Sequence, residues 1–225
     1  NFSHYVLPHP NLRVLGPNVR FFVEHGVKGI FEQGAYHSFG AEFAPLRSWV
    51  LAKLLWNPYQ DDEALIEQFV QGYYGPAAGP ILQYINLLHD TAEAWGGALR
   101  CFNPPTAGYL TLDLMAQAER LFNEAEAAVA GDAELLNRVQ VARLPIRYVW
   151  AHRWHDLQAE ARRRGLPWPG PEDYVANAQE FVRVAEANKV TYVGEGAGRK
   201  LETFVNRTIG LGRTLAPPPP GCEEL

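Results

Sequence analysis

Apolar residues recur every three or four positions along most of the chain, a spacing that places them on one face of a helix. Between Leu114 and Ala128, for example, Leu114, Ala118, Leu121, Ala125 and Ala128 form such a stripe, with polar residues around it. The same periodicity predicts helices at about 16–25, 45–57, 63–75, 77–95, 114–128, 133–164, 171–188 and 197–211. A mainly helical protein is therefore expected.

Residues at the ends of these stretches support the same helices. Asp61, Asp62 and Glu63 place acidic side chains at the start of the third helix, where they cap and complement the helix N-terminus. Asp132 is well placed to cap the long helix that follows it. Pro145 is expected to bend that helix, because proline removes one backbone hydrogen bond of the helix interior.

One short segment interrupts the helical pattern. Val27, Ile30 and Phe31 form a brief apolar run that ends just before Gly34. Its length and the glycine after it predict a short buried strand, with Glu32 at its tip.

The first 58 residues combine this strand with helices on either side, and a weaker candidate strand lies at 4–7. The helix at 45–57 is apolar on nearly every side, as is typical of a helix covered all round. Helix, strand, loop and helix form the repeating unit of an α/β barrel. A complete eight-fold barrel needs about 250 residues. We therefore expect one or two strands from the C-terminal end of a (β/α)8 barrel, followed by an α-helical bundle.

The predicted organisation has three parts. Residues 1–58 are the terminal βα segment of a TIM-like barrel, residues 59–213 are an α-helical domain, and residues 214–225 are a flexible proline-rich tail. The chain begins with Asn-Phe-Ser and not with Met, which suggests an internal piece of a longer polypeptide.

Composition and charge exclude several classes of partner. The net charge of −5 and a pI near 5.8 supply no basic surface for nucleic acid. No apolar run is long enough to span a membrane. Cys101 and Cys222 indicate neither a disulfide framework nor a zinc site. His152 and His155 share a helical spacing, but no third ligand accompanies them, so neither a metal nor a cofactor is expected.

Glu32 is the first candidate for a functional site, because side chains at the C-terminal ends of barrel strands point into the mouth where substrates bind. A structural carboxylate that pairs with an arginine is an equally good interpretation. Gln33 alternates to the other face of a regular strand, so both side chains point inward only if the strand has already ended.

Two loops supply further candidates. The first contains Asn1, His4 and Tyr5, which offer donors, acceptors and an aromatic face to a polyhydroxylated ligand. An ordinary connecting loop is the simpler interpretation of this segment. The loop after Glu32 adds Tyr36 and is long enough to reach over a site.

Four stretches together resemble a known family. They are "NFSHYVLPHPNLRVLGPNVRFFVEHGVKGIFEQG", "LRSWVLAKLLWNP", "FVQGYYGPAA" and "YINLLHD". Their order and spacing over residues 1 to about 150 resemble the DUF4838 proteins, grouped as glycoside hydrolase family 163. The resemblance implies a secreted or periplasmic bacterial enzyme that cuts N-acetylglucosamine-containing N-glycans as an endo-β-N-acetylglucosaminidase. It also implies a retaining mechanism in which the substrate's acetamido group assists.

The chain lacks the segment in which the family's catalytic carboxylates are expected. The resemblance therefore implies a substrate contact for Asn1, His4, Tyr5, Glu32 and Gln33, and no catalytic residue. The isolated chain is expected to be inactive. Its partners would be the glycan and either the N-terminal remainder of the polypeptide or a second copy covering the sheet edge. The alternative is a non-catalytic helical module that binds carbohydrate or protein.

Overall fold

The computed structural model describes residues 1–210, which fold into seven helices of ten residues or more, joined by turns and irregular segments. These are α1 (Leu15–Glu24), α2 (Ala44–Trp56), α3 (Asp62–Tyr74), α4 (Ala78–Trp95), α5 (Leu112–Ala128), α6 (Ala133–Arg163) and α7 (Tyr174–Ala187). A short α8 (Leu201–Phe204) continues into a π-helical turn. The predicted tail at 214–225 and Cys222 lie outside the described residues.

Side-chain caps explain where several helices begin. Asp61 accepts a hydrogen bond from the Ala64 amide at the start of α3, and Thr111 accepts one from the Leu114 amide at the start of α5. Each cap satisfies a backbone N–H that has no partner within the helix. The helical pattern of the sequence is thus confirmed to within a few residues at these ends.

The cap of α6 gives a testable effect on stability. The Asp132 carboxylate accepts from the amides of Glu134 and Leu135, each at 3.0 Å. Asp132→Ala should lower the free energy of unfolding by about 1 kcal/mol, as measured by urea denaturation. Asp132→Asn retains the acceptor and is the matched control, so we expect it to stay close to the wild type. Equal losses for both variants would contradict a capping role.

The long helix α6 lies at the centre of the bundle and packs against α3, α5 and α7. Its buried aromatic side chains include Tyr148 and Trp150, and further fully buried rings come from α4 and the α4–α5 connection, Tyr84 and Tyr109. A single hydrophobic core runs from the first turn of the chain to the last helices. Residues 1–58 and the helical region therefore share one core.

The break in α6 is not at the proline. The backbone departs from helical dihedral angles at Arg153, where φ is −118° and ψ is 15°. Pro145 lies inside the helix and is buried. The Arg153 guanidinium donates a hydrogen bond to the Leu110 carbonyl of the α4–α5 connection, which ties the break to a neighbouring segment.

The predicted strands are not formed in the part of the chain that the structure describes. Residues 27–31 follow an irregular path, and an isolated bridge between Tyr192 and Lys200 is the one β-type pairing there. Residues 4–7 form a buried turn in which the Leu7 amide donates to the His4 carbonyl. A strand needs a neighbouring strand to bond its amides and carbonyls, and none of the residues up to 210 forms one beside residues 27–31.

The helix α2 also differs from the prediction. Leu46, Val50 and Leu54 are buried, but Leu55 is exposed and Trp56 is 91% exposed. The helix is thus covered on one face and open on the other.

Several apolar residues near α2 are exposed as well. Val14, Val27, Ile30 and Phe31 are all exposed, and together with half-buried Leu51 they line a cleft of about 470 Å³. We call this cleft, formed by α1, residues 27–32 and α2, the open apolar face. Exposed apolar surface of this kind usually marks a contact site. No helix within residues 1–210 combines the length and hydropathy that crossing a membrane requires.

Candidate functional site

A shallow groove of about 400 Å³ brings three of the predicted site residues together. Phe31, Glu32, Gln33, Gly34 and Tyr36 line it. Because the backbone here is irregular, Glu32 and Gln33 are not forced to opposite faces as they would be in a strand. Phe31 is 86% exposed and Tyr36 is 54% exposed, so the groove presents two aromatic rings beside a carboxylate and an amide.

Glu32 lies at the junction of two surfaces. It lines the groove and also the open apolar face. A ligand in the groove therefore meets this carboxylate at the edge of an apolar cleft.

Tyr36 is held in place by residues from the far end of the chain. Its hydroxyl donates to Glu195 Oε1 at 2.7 Å. Its ring packs on His37, with the centroids 4.0 Å apart, and His37 stacks in turn on Tyr192 at 5.1 Å. Ser38 Oγ accepts from the backbone amide of Tyr192 at 3.1 Å. The loop after the groove is thus bound to residues 191–195.

Tyr5 lies next to the same segment. Its amide donates to the Val193 carbonyl at 2.7 Å, and the Glu195 amide donates to the Phe2 carbonyl at 2.6 Å. The Tyr5 side chain is buried, and no atom of residues 1–210 forms a hydrogen bond with its hydroxyl. Burial, with the nearby Glu195 carboxylate, raises the pKa of Tyr5 to about 12. The phenol therefore remains a neutral donor at neutral pH.

Asn1 and His4 lie apart from the groove. The Asn1 amide donates to the Asn103 carbonyl at 2.8 Å, and its oxygen accepts from the His4 backbone amide. His4 Nδ1 pairs with the Tyr148 hydroxyl at 2.7 Å, and burial lowers the His4 pKa to about 3. Through these bonds both side chains anchor the first turn of the chain. Their predicted contact with a glycan stays a prediction.

Another carboxylate of the loop after Glu32 is also structural. Glu42 is buried and forms an ion pair with Arg47, while burial raises the Glu42 pKa. Arg47 also donates to Asn11 Oδ1 at 2.8 Å and to the His9 carbonyl at 2.6 Å. This pair fixes the loop that leads into α1. Within residues 1–210 no three His, Cys, Asp or Glu side chains are grouped as metal ligands would be.

Sequence reasoning missed the contribution of residues 191–195. Glu195 and Tyr36 are separated by 159 positions, so no local pattern connects them. The glycines around Glu195 are the one available signal. A Cβ at Gly194 would lie 2.3 Å from the Ser3 carbonyl oxygen, so this position requires glycine for the close approach of two backbones.

The comparisons with known proteins found a family match for part of the chain. No curated protein and no solved structure matches it. Residues 1–86, which include α1, α2, α3 and the whole groove, match the family model described as "Domain of unknown function (DUF4838)".

Proposed function

We propose that this chain is the C-terminal portion of a glycoside hydrolase that acts on N-acetylglucosamine-containing glycans. In this proposal residues 1–58 complete a (β/α)8 barrel, and the helical region packs against that barrel. The match to DUF4838 over residues 1–86 and the resemblance described above support the assignment. The enzyme would be a secreted or periplasmic bacterial protein.

The open apolar face is the observation that carries this proposal. Val14, Val27, Ile30 and Phe31 expose apolar side chains around the cleft, within the segment that matches the family model. Each buried Val, Ile or Phe side chain contributes roughly 1.5–3 kcal/mol, so leaving four of them in water forgoes considerable stability. The remaining strands of a barrel would cover them. A second copy of the chain would also cover these apolar side chains.

The groove has the chemistry of a sugar-binding surface. Aromatic rings such as Phe31 and Tyr36 pack on the C–H face of a pyranose, while Glu32 and Gln33 offer acceptors and donors for its hydroxyl groups. Glu32 and Gln33 are assigned to substrate binding only. The catalytic carboxylates of the substrate-assisted reaction would come from the preceding barrel strands.

The test is hydrolysis of a biantennary N-glycan by a polypeptide that includes the preceding barrel strands. Glu32→Gln should lower kcat/KM about tenfold, which corresponds to about 1.4 kcal/mol, and leave the melting temperature nearly unchanged. Glu24→Gln is the control, because Glu24 is exposed at the end of α1 and lines neither surface. Unaltered turnover in Glu32→Gln would remove Glu32 from the site. Absence of hydrolysis in the wild type would reject the function.

A non-catalytic carbohydrate-binding or interaction module is the second candidate. The shared core of residues 1–58 and the helical region favours it, since such a core suits a chain that folds alone. Calorimetric titration of the 225-residue chain with the same glycan separates the two candidates. Weak or undetectable heat agrees with the hydrolase portion, and micromolar binding would favour the module.

A further inference from the structure

We propose that the 225-residue chain forms a two-fold symmetric dimer, in which residues 27–33 of two copies pair as antiparallel strands centred on Ile30. This dimer does not depend on the proposed function, because it requires only the backbone and side chains of this segment and of the open apolar face. In the longer polypeptide of the proposed hydrolase, the preceding barrel strands would take the same edge.

The backbone of this segment has no partner. None of the amides and carbonyls of residues 28–35 forms a backbone–backbone hydrogen bond within residues 1–210, and residues 27–34 are exposed without a break. None of residues 27–35 has a positive φ, so no backbone strain opposes an extended strand. A row of exposed, unpaired amides and carbonyls is a template onto which another strand adds.

The charges of the segment select one register. Lys28 and Glu32 are exposed, and neither forms an ion pair within residues 1–210. In an antiparallel pair centred on Ile30, each Lys28 lies directly opposite the partner's Glu32, because the two residues are equally far from the centre. A parallel pair in register would place like charges opposite each other. Self-complementary charges of this kind favour a second copy over an unrelated partner.

The other face of the paired segments fits the same register. Phe31 is 86% exposed, and it would lie opposite the partner's Gly29. No atom lies within 4 Å of the position that a Cβ of Gly29 would occupy, so the space above this glycine is open. An aromatic ring that covers a glycine of the neighbouring strand helps to fix the register of a sheet.

The open apolar face extends the contact beyond the paired segments. Two paired strands alone are at best marginally stable in water, so a further contact is needed. Val27, Ile30 and Phe31 belong to the segment and also line the cleft, together with Val14 and Leu51. The two-fold axis keeps the same side of both strands on one side of the pair, so the two clefts lie side by side. The dimer therefore covers apolar side chains that a single copy exposes.

Charge reversal tests the proposed pairing by sedimentation velocity of the 225-residue chain, whose monomer mass is 25.2 kDa. The wild type should form a dimer in a concentration-dependent manner. Lys28→Glu and Glu32→Lys should each raise the dimer Kd about tenfold, because the symmetry turns each change into two like-charge contacts. The double variant restores opposite charges, and its Kd should return to within about threefold of the wild-type value.

A second pair of variants tests the centre of the interface. Ile30→Asp would place two carboxylates opposite each other on the two-fold axis, so this variant should be monomeric. Val175→Asp is the matched control, because Val175 is a similarly exposed β-branched residue on α7, and it should leave the dimer unchanged.

A cysteine cross-link tests the register. In a chain with Cys101→Ser and Cys222→Ser, Ile30→Cys should form an intermolecular disulfide on mild oxidation. Opposing Cα atoms of an antiparallel pair lie about 4.5–5.5 Å apart, which a disulfide can bridge. Gln33→Cys is the control, because in this register it lies about 20 Å from its symmetry mate and should not cross-link.

Three results would overturn the dimer as proposed. One is a wild-type chain that stays monomeric at its highest soluble concentration. Another is a dimer that withstands both single charge reversals and Ile30→Asp, which would place its interface elsewhere. The third is cross-linking of Gln33→Cys as efficient as that of Ile30→Cys, which would reject the register.

Discussion

Replacing Arg143 with Met should lower the free energy of unfolding by about 3–5 kcal/mol. The guanidinium is buried between α5 and α6, where it forms ion pairs with Glu119 and Glu126 and donates to Asn123 Oδ1 at 2.8 Å. Glu119 accepts a further bond from Trp150 Nε1 at 3.0 Å. Without the cation, the buried Glu119 and the half-buried Glu126 of the same helix would lose their compensating charge.

The size of this effect depends on burial, and a matched variant tests that dependence. Arg120 on α5 pairs with Glu124 one turn away, but these side chains are 58% and 48% exposed. Arg120→Met should therefore cost less than about 0.5 kcal/mol in the same urea denaturation experiment. Comparable losses in the two variants, or a loss below about 1 kcal/mol for Arg143→Met, would contradict a network that stabilises through burial.

Lowering the pH from 7 to 5 should destabilise the protein by on the order of 4 kcal/mol, because four of its seven histidines are held uncharged. Burial lowers the pKa of His4 and His9 to about 3, and that of His89 and His152 to about 4. In the unfolded chain a histidine has a pKa near 6.5. Below that pH the unfolded state binds more protons than the native state. The stability that the four neutral histidines contribute is therefore fully present above pH 6.5 and is lost as the pH falls.

Two arguments set the size of this effect. Each histidine contributes up to about 1.4 kcal/mol per pH unit, and less where solvent reaches the ring, as at His9 and His152. Glu42 acts in the opposite direction, because burial raises its pKa and protonation relieves the buried charge.

Urea denaturation across this pH range gives the slope of stability against pH. His152→Gln should reduce the slope by about one proton. A flat profile in the wild type would contradict the neutral buried histidines.

The helices could be predicted because their signals are local. Asp132 caps α6 as expected, and α4 ends at Trp95 where the apolar period stops. The strand at 27–31 could not be judged in the same way. Its apolar residues indicate that burial of the segment is favourable. Whether the segment forms a strand depends on a neighbouring strand that the local sequence does not contain.

The candidate site was predictable only in part, for a related reason. Glu32, Gln33 and Tyr36 are close in sequence, so a single loop can bring them to one groove. Glu195 joins them through a contact across most of the chain, and the burial of His4 against Tyr148 depends on a helix 144 positions later. Periodicity and motif spacing carry no information about such contacts.

The bond between Tyr36 and Glu195 has a consequence for the order of events during synthesis on the ribosome. The groove residues emerge first, and the side chain that fixes their loop emerges 159 positions later. Contacts between such distant positions form late, because closing a long loop costs more chain entropy than closing a short one. A nascent chain that does not yet contain Glu195 therefore carries a loop whose Tyr36 side chain is not yet fixed, and the loop reaches its final conformation only after residues 191–195 have been synthesised.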